Sequence, residues 1–318
     1  MKLTASYPPY VLITPARNEG QFIENTIRSM IGQTVLPSRW VIVNDGSTDD
    51  TGTIIARYAA TYEWIKLVDL APRQGRDFAA KVHAFKAGQE MLSGIEYEII
   101  GNLDADVSLD QDHFEFLIGK FQEDPDLGVA GTVFREPGYN SATDSFEGQN
   151  YVSGQCQIFR RQCFEAIGGY LPSKAGGIDW IAVNTARMMG WRTQSFREKC
   201  FYHHRILGTA NHGVIAKFYV YGKKDYLLGG HPLWEVFRGG FRLVKQPYLL
   251  GAMALLAGYF GALLNGEKRV VSEDLMRFHR HEQLMKLRAI LLSVVRLKKI
   301  DSFSLLPVAN SSRPRERA

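Results

Sequence analysis

The sequence predicts an α/β fold of three layers: a mostly parallel sheet covered by helices on both faces. Three observations carry this expectation. Short apolar runs alternate with segments of helical spacing over the first 135 residues, and the early strands end in polar clusters. The chain is also long and apolar enough for a sizeable core, with 318 residues, 45% hydrophobic and 12% aromatic. One large domain with a C-terminal attachment fits that length.

Residues 10–14 form the first apolar run, and 19–31 place Phe22, Ile23, Ile27 and Met30 at helical spacing. A second run at 40–43 precedes helical character over 49–62. Residues 64–68 read as a third strand, 78–92 as a third helix and 98–103 as a fourth strand. A helix at 112–121 and a strand at 128–134 follow. In such sheets ligands bind beyond the carboxyl ends of the strands, so polar clusters there are candidate sites. Residues 136–150, rich in Gly, Ser, Asn and Asp, read as a loop. A strand over 151–159, a helix from Arg161, a Gly-rich turn, a helix over 179–189 and a strand over 192–196 come next.

Charge is uneven. From Lys217 onward there are 18 Lys/Arg against 8 Asp/Glu, whereas residues 1–216 hold 20 against 25. The basic residues surround a hydrophobic stretch, which points to an anionic membrane surface rather than to nucleic acid. Cys156, Cys163 and Cys200 are few, odd in number and widely spaced, as expected of free thiols in a reducing compartment. Cys200, His203 and His204 lack the paired spacing of a zinc site. The opening residues, with Lys2 and Pro8-Pro9, do not read as a signal peptide.

Three clusters at strand ends carry chemistry. The first is TPARNEG, 14–20. It contains no G-x-G-x-x-G, which disfavours a dinucleotide cofactor. The second, VIVNDGSTDDT at 41–51, runs a strand into Asn44-Asp45-Gly46-Ser47. A carboxylate there can accept hydrogen bonds from a base or ribose, and a plain capped turn is the alternative. The third, EIIGNLDADVSLD at 98–110, carries a strand into Asp104-Ala105-Asp106. Residues two apart in an extended segment share one face, about 7 Å apart. Such a pair suits a hard cation, Mg²⁺ or Mn²⁺, whose shell phosphate and water complete.

TPARNE, NDGSTDD and DAD, in that order, resemble glycosyltransferase family 2 over roughly residues 8–205. The resemblance implies a GT-A fold, a UDP- or GDP-sugar donor and inversion at the anomeric carbon. It implies a catalytic domain over 1–210, with nucleotide-sugar binding in 1–135 and the acceptor part in 136–210. Pro15, Arg17 and Glu19 would line the nucleoside pocket with Asp45 and Ser47, while Gly75, Arg76 and Lys81 would contact the donor. Asp104 would serve both donor and metal, and Asp106 the metal. The family's catalytic base maps onto Asp179 in KAGGIDWIAVN, with Ile178 where Glu is common and Trp180 beside it. His203 or His204 would complete the metal site or contact the diphosphate; adjacent residues of an extended chain cannot both point inward.

The remainder, 211–305, is expected to be helical and membrane-associating, with 306–318 a disordered tail. Residues 218–233 and 278–299 read as basic amphipathic helices. The uncharged stretch 247–264 reaches only the threshold for a spanning helix, and positive charge on both sides suits an interfacial segment. The expected acceptor is a hydroxyl of a glycan or lipid-linked precursor at the cytoplasmic side of a membrane. A polyprenyl-phosphate sugar synthase, which transfers to lipid phosphate, is the alternative.

Overall fold

The computed structural model describes residues 7–72, 78–205 and 213–308. Contacts divide the chain into two compact units. One comprises Met1–Pro172, Ile178–Arg205 and Pro307–Ala318, and the other Ser173–Gly177 and Ile206–Leu306.

The first unit opens as β1 (Tyr10–Ala16), α1 (Ile23–Ile31), β2 (Arg39–Asp45), α2 (Thr51–Thr61), β3 (Ile65–Leu70), α3 (Phe78–Glu90) and β4 (Ile99–Leu103). After these come β5 (Val107–Ser108), α4 (His113–Glu123), β6 (Leu127–Glu136), β7 (Tyr139–Asn140), β8 (Cys156–Arg160), α5 (Arg161–Ala166), α6 (Ile178–Met188) and β9 (Arg192–His203). The sheet order is β3-β2-β1-β4-β8-β6-β9-β5, with β7 on β6. Strands β1 to β4 are parallel neighbours, β8 is antiparallel to both β4 and β6, and β9 runs parallel to β6. The α/β architecture is GT-A-like, a mixed sheet whose first four strands are parallel.

Alternation along the strands builds two cores. Tyr10, Leu12, Trp40 and Ile42 enter one cluster, and Val11, Ile13, Val41 and Val43 the other. A strand buried on both faces has no polar side, which is why these runs are continuously apolar. Fully burying each such side chain contributes about 1.5–3 kcal/mol.

Three departures from the sequence reading bear on the site. Strand β9 was expected to end at 196 yet continues to His203. It does so through an irregularity in which Thr132 pairs with Phe196 and the next residue, Val133, with Cys200. Residues 197–199 bulge out, with Arg197 and Glu198 exposed, so the apolar pattern breaks although the strand does not. Residues 151–155, expected as strand, precede β8 as irregular backbone; the Gln155 carbonyl accepts from the amide of Asp104, just past the end of β4 (2.8 Å). The DAD segment is not extended: a turn at Ala105 and Asp106 links β4 to β5. The buried Thr26 hydroxyl donates to the carbonyls of Ala105 and Val107 (2.8 Å each) and fixes that turn.

The second unit contains α7 (Val214–Leu227), α8 (Pro232–Arg242), α9 (Tyr248–Leu264) and α10 (Glu273–Val295). The helix read at 218–233 is therefore two helices, because Pro232 lacks an amide proton and starts a new one. Helix α9 has 17 residues, about 26 Å at 1.5 Å per residue, against a hydrocarbon core of about 30 Å. One of its faces is buried through Ala252, Leu255, Tyr259 and Ala262. Among the described residues no helix is long and apolar enough to cross a membrane.

Candidate active site

The carboxyl ends of β1, β2, β4, β6 and β9 deliver the polar residues. The loops after β1 and β2 are tied together. Ser47 Oγ accepts from the Asn18 amide (3.0 Å), Asn18 Oδ1 from the Thr48 amide (2.8 Å), and Asp49 Oδ2 from the Gly20 amide (2.9 Å). Asn18 adopts φ 55°, a left-handed conformation its short polar side chain tolerates. Gly46, at φ 64°, permits the second turn; a Cβ there would lie 2.6 Å from Pro72 Cα. Asp45 is buried at the end of β2; Pro15, near the end of β1, and Arg17, just after it, are half-buried. Ser47 thus has a structural partner in addition to its expected place near a donor.

Around the DAD turn, Asp104 Oδ1 accepts from Lys81 Nζ (2.6 Å) and from Asn102 Nδ2 (2.9 Å). Burial alone would lower the Lys81 ammonium; pairing with Asp104 outweighs it and raises the group, and the Asp179 carboxylate adds to that field. Lys81, Asp104 and Asp179 therefore occupy one neighbourhood. Asp106 has other partners. Its Oδ2 lies 3.3 Å from His203 Nε2 and 3.6 Å from Arg205 Nε. Asp104 and Asp106 thus have different partners, although Lys81 and Glu19 each lie within reach of both charges. Gly75 and Arg76 lie outside the described residues.

His203 is buried and His204 half-buried, as alternation along an extended strand requires. His203 Nδ1 faces Glu136 Oε1 at 2.9 Å, and His204 Nε2 faces Ser108 Oγ at 2.7 Å. Burial acts to lower the His203 imidazole, but its hydrogen bonds to Asp106 and Glu136 prevail and carry it up to about 9. Burial likewise works against the Asp106 carboxylate, yet His203, Arg205 and Lys81 hold it below its ordinary range.

Two residues here escaped the sequence reading. Glu136 ends β6, which runs parallel to β9, so its strand-end position was the available signal. Arg205 follows the two histidines; its Nη2 donates to Glu19 Oε2 at 2.6 Å, and its guanidinium lies over the Phe22 ring at 5.6 Å. Burial and neighbouring Asp106 push the Glu19 carboxyl up to about 7 despite Arg205.

The donor set can be tested against a divalent cation. Without a cation, His203 donates from both ring nitrogens, to Asp106 and to Glu136. A divalent ion beside Asp106 would displace the Nε2 proton, leaving Nδ1–H on Glu136 and the Nε2 lone pair for the ion. One imidazole backed by a carboxylate, beside one carboxylate oxygen, is a fitting pair of ligands for a cation that takes its remaining ligands from phosphate and water. The described residues contain no group of three or more His, Cys, Asp or Glu arranged to hold a metal by themselves.

The fold is of GT-A type. Residues 11–168, just under half of the chain, match the family model described as glycosyl transferase family 2, so the chain carries a glycosyltransferase domain of that family. The match ends before Asp179 and His203. Poly-beta-1,6-N-acetyl-D-glucosamine synthases of Staphylococcus aureus and Staphylococcus epidermidis are 32% identical over 112 residues. That stretch is 35% of this chain and 25% of theirs, so the chain matches only about a quarter of these relatives' length. Among solved structures, Staphylococcus aureus TarS 1-349 in complex with UDP-GlcNAc gives a TM-score of 0.54 at 17% identity, covering 93% of this chain and 89% of that one. The mannosyltransferase PcManGT from Pyrobaculum calidifontis, in complex with GDP-Man and Mn²⁺, gives 0.52 at 20% identity, covering 92% and 81%. These structural likenesses establish the fold.

Arg205→Ala would leave Glu19 and Asp106 facing each other without their shared cation. We expect a loss of about 1–3 kcal/mol in thermal unfolding, largely restored by adding Glu19→Gln. No loss, or no restoration, would contradict the bridging role.

Proposed function

We propose that this enzyme is an inverting, metal-assisted hexosyltransferase. It would move a sugar from a UDP- or GDP-sugar to a hydroxyl of a glycan or lipid-linked precursor. The observation that carries this reading is the Asp106–His203–Glu136 chain standing beside the Lys81–Asp104–Asp179 cluster at one end of the sheet. The bound ligands named for the solved neighbours, UDP-GlcNAc and GDP-Man with Mn²⁺, support a nucleotide-sugar donor and a divalent ion.

In this reading the loops after β1 and β2 hold the nucleoside, with Pro15, Arg17, Glu19, Asp45 and Ser47 around it. Asp106 and His203, with Asp104 nearby, would hold Mg²⁺ or Mn²⁺. An ion held there would supply positive charge against the departing diphosphate. Lys81 adds a fixed cation beside Asp104. Asp179 takes the proton of the acceptor hydroxyl as that oxygen bonds to the anomeric carbon. The nucleoside diphosphate leaves with the electron pair of the broken bond, which inverts the centre. Transfer to a lipid phosphate would need no base, since that oxygen is already ionised, so Asp179 within the polar cluster favours a hydroxyl acceptor.

We expect Asp179→Asn to leave donor binding nearly intact while turnover falls by about two to four orders of magnitude. Donor selection by thermal stabilisation across UDP- and GDP-sugars, followed by turnover measurements, checks this. Unchanged turnover would remove Asp179 from the base role.

The second unit supports a site of action at the cytoplasmic face of a membrane. Leu249, Leu250 and Met253 on α9 are more than half exposed (59%, 56% and 57%), beside Arg242 and Lys245. At the end of α10, Leu291, Val294 and Val295 are exposed beside Arg296, Lys298 and Lys299. Apolar tips with basic neighbours suit adsorption to anionic lipid, each cation near the surface contributing about 1 kcal/mol. The full chain should sediment with phosphatidylglycerol vesicles at low salt and be released as salt rises. Leu249→Asp combined with Leu250→Asp should weaken that binding at least tenfold. Absence of binding at low salt would contradict the assignment.

A further inference from the structure

Residue 179 is held from more than one side by a segment that the reaction scheme does not use. Tyr151 Oη donates to Asp179 Oδ2 at 3.0 Å. Gly154 packs against the same carboxylate: a Cβ there would lie 2.6 Å from Asp179 Cβ and 2.8 Å from Oδ2. Only the absence of a side chain at 154 lets the carboxylate approach. Behind them, the fully buried Gln157 receives the Tyr170 hydroxyl on Oε1 (2.7 Å). Its Nε2 donates to Val152 O (2.8 Å) and reaches the Asp179 carbonyl (3.5 Å). The segment 151–157 thereby touches both the backbone and the side chain of residue 179. Among the described residues, the hydrogen bond to the Asp179 carboxylate engages Oδ2 and leaves Oδ1 for another partner.

A carboxylate rotates through a broad two-fold torsion at its last bond. A base that rotates spends part of its time with the wrong lone pair toward the proton. A hydroxyl that donates to one oxygen removes that freedom, and Tyr151 can only donate here because burial and the Asp179 charge raise its phenol well above the usual range. We propose that Tyr151, with Gly154, is a positioning residue for transfer: its hydroxyl pins Oδ2 of Asp179 so that Oδ1 faces the acceptor hydroxyl. This rests on the reading of Asp179 as the base.

The test is a double-mutant cycle on the full chain, using whichever of UDP-GlcNAc or GDP-Man the wild-type enzyme turns over. Tyr151→Phe should lower kcat about 10- to 100-fold with donor KM within twofold and an unchanged melting temperature. In an Asp179→Asn background the same substitution should cost less than about twofold, because the group it positions is gone. Gly154→Ala should repeat the loss of kcat at constant donor KM, which carries the test if the Asp179→Asn rate is too low to measure. An equal loss from Tyr151→Phe in both backgrounds, or a loss expressed in donor KM, would show a structural role and overturn the proposal. Wild-type kcat in Tyr151→Phe would overturn it as well. An Asp179→Asn enzyme with wild-type turnover would strike the base assignment itself, and positioning would fall with it.

Discussion

Three carboxylates, Glu19, Asp104 and Asp106, converge where parallel strands end, and like charges at such range are tolerated only with cations among them. Lys81 answers Asp104, while His203 and Arg205 answer Asp106 and Glu19. Lys81 comes from α3, and His203 and Arg205 from the end of β9 and just beyond it, so the pairing ties a helix and two distant strand ends together. The same concentration of negative charge makes the site receptive to a divalent ion.

The helix and strand order up to residue 134 was legible because each buried strand is a short continuous apolar run between polar, glycine-containing turns. The full length of β9 was not legible. Its apolar pattern is interrupted by Arg197, Glu198 and Lys199, which leave the sheet at an irregularity that only pairing with β6 reveals. That interruption also hid Arg205, whose role depends on the strand carrying it to Glu19. The two-residue β5 is too short to show a period, and its partner is distant in sequence. The DAD pair was legible as a cluster but not in orientation, since a turn clamped by Thr26 replaces the extended conformation that alternation suggested.

Tyr151 illustrates a different limit. Its segment reads as strand because Tyr151 and Val152 favour extended backbone, yet these residues leave the ladder and reach residue 179. Nothing in local spacing couples positions 151, 154 and 179; the contact exists because β8 lies between β4 and β6, and α6 returns to the same end. In the second unit, helical periodicity was legible, whereas the break before α8 followed from Pro232, a residue that starts helices as readily as it ends them.

The proposed transfer requires a cation held between Asp106 and His203 and shared with a diphosphate. The most direct measurement is anomalous diffraction from crystals soaked with Mn²⁺ and a nucleotide sugar that the enzyme turns over. We expect one manganese peak within bonding distance of Asp106 and His203 Nε2, with phosphate oxygens completing its shell. A donor bound with no manganese between those two side chains would contradict it.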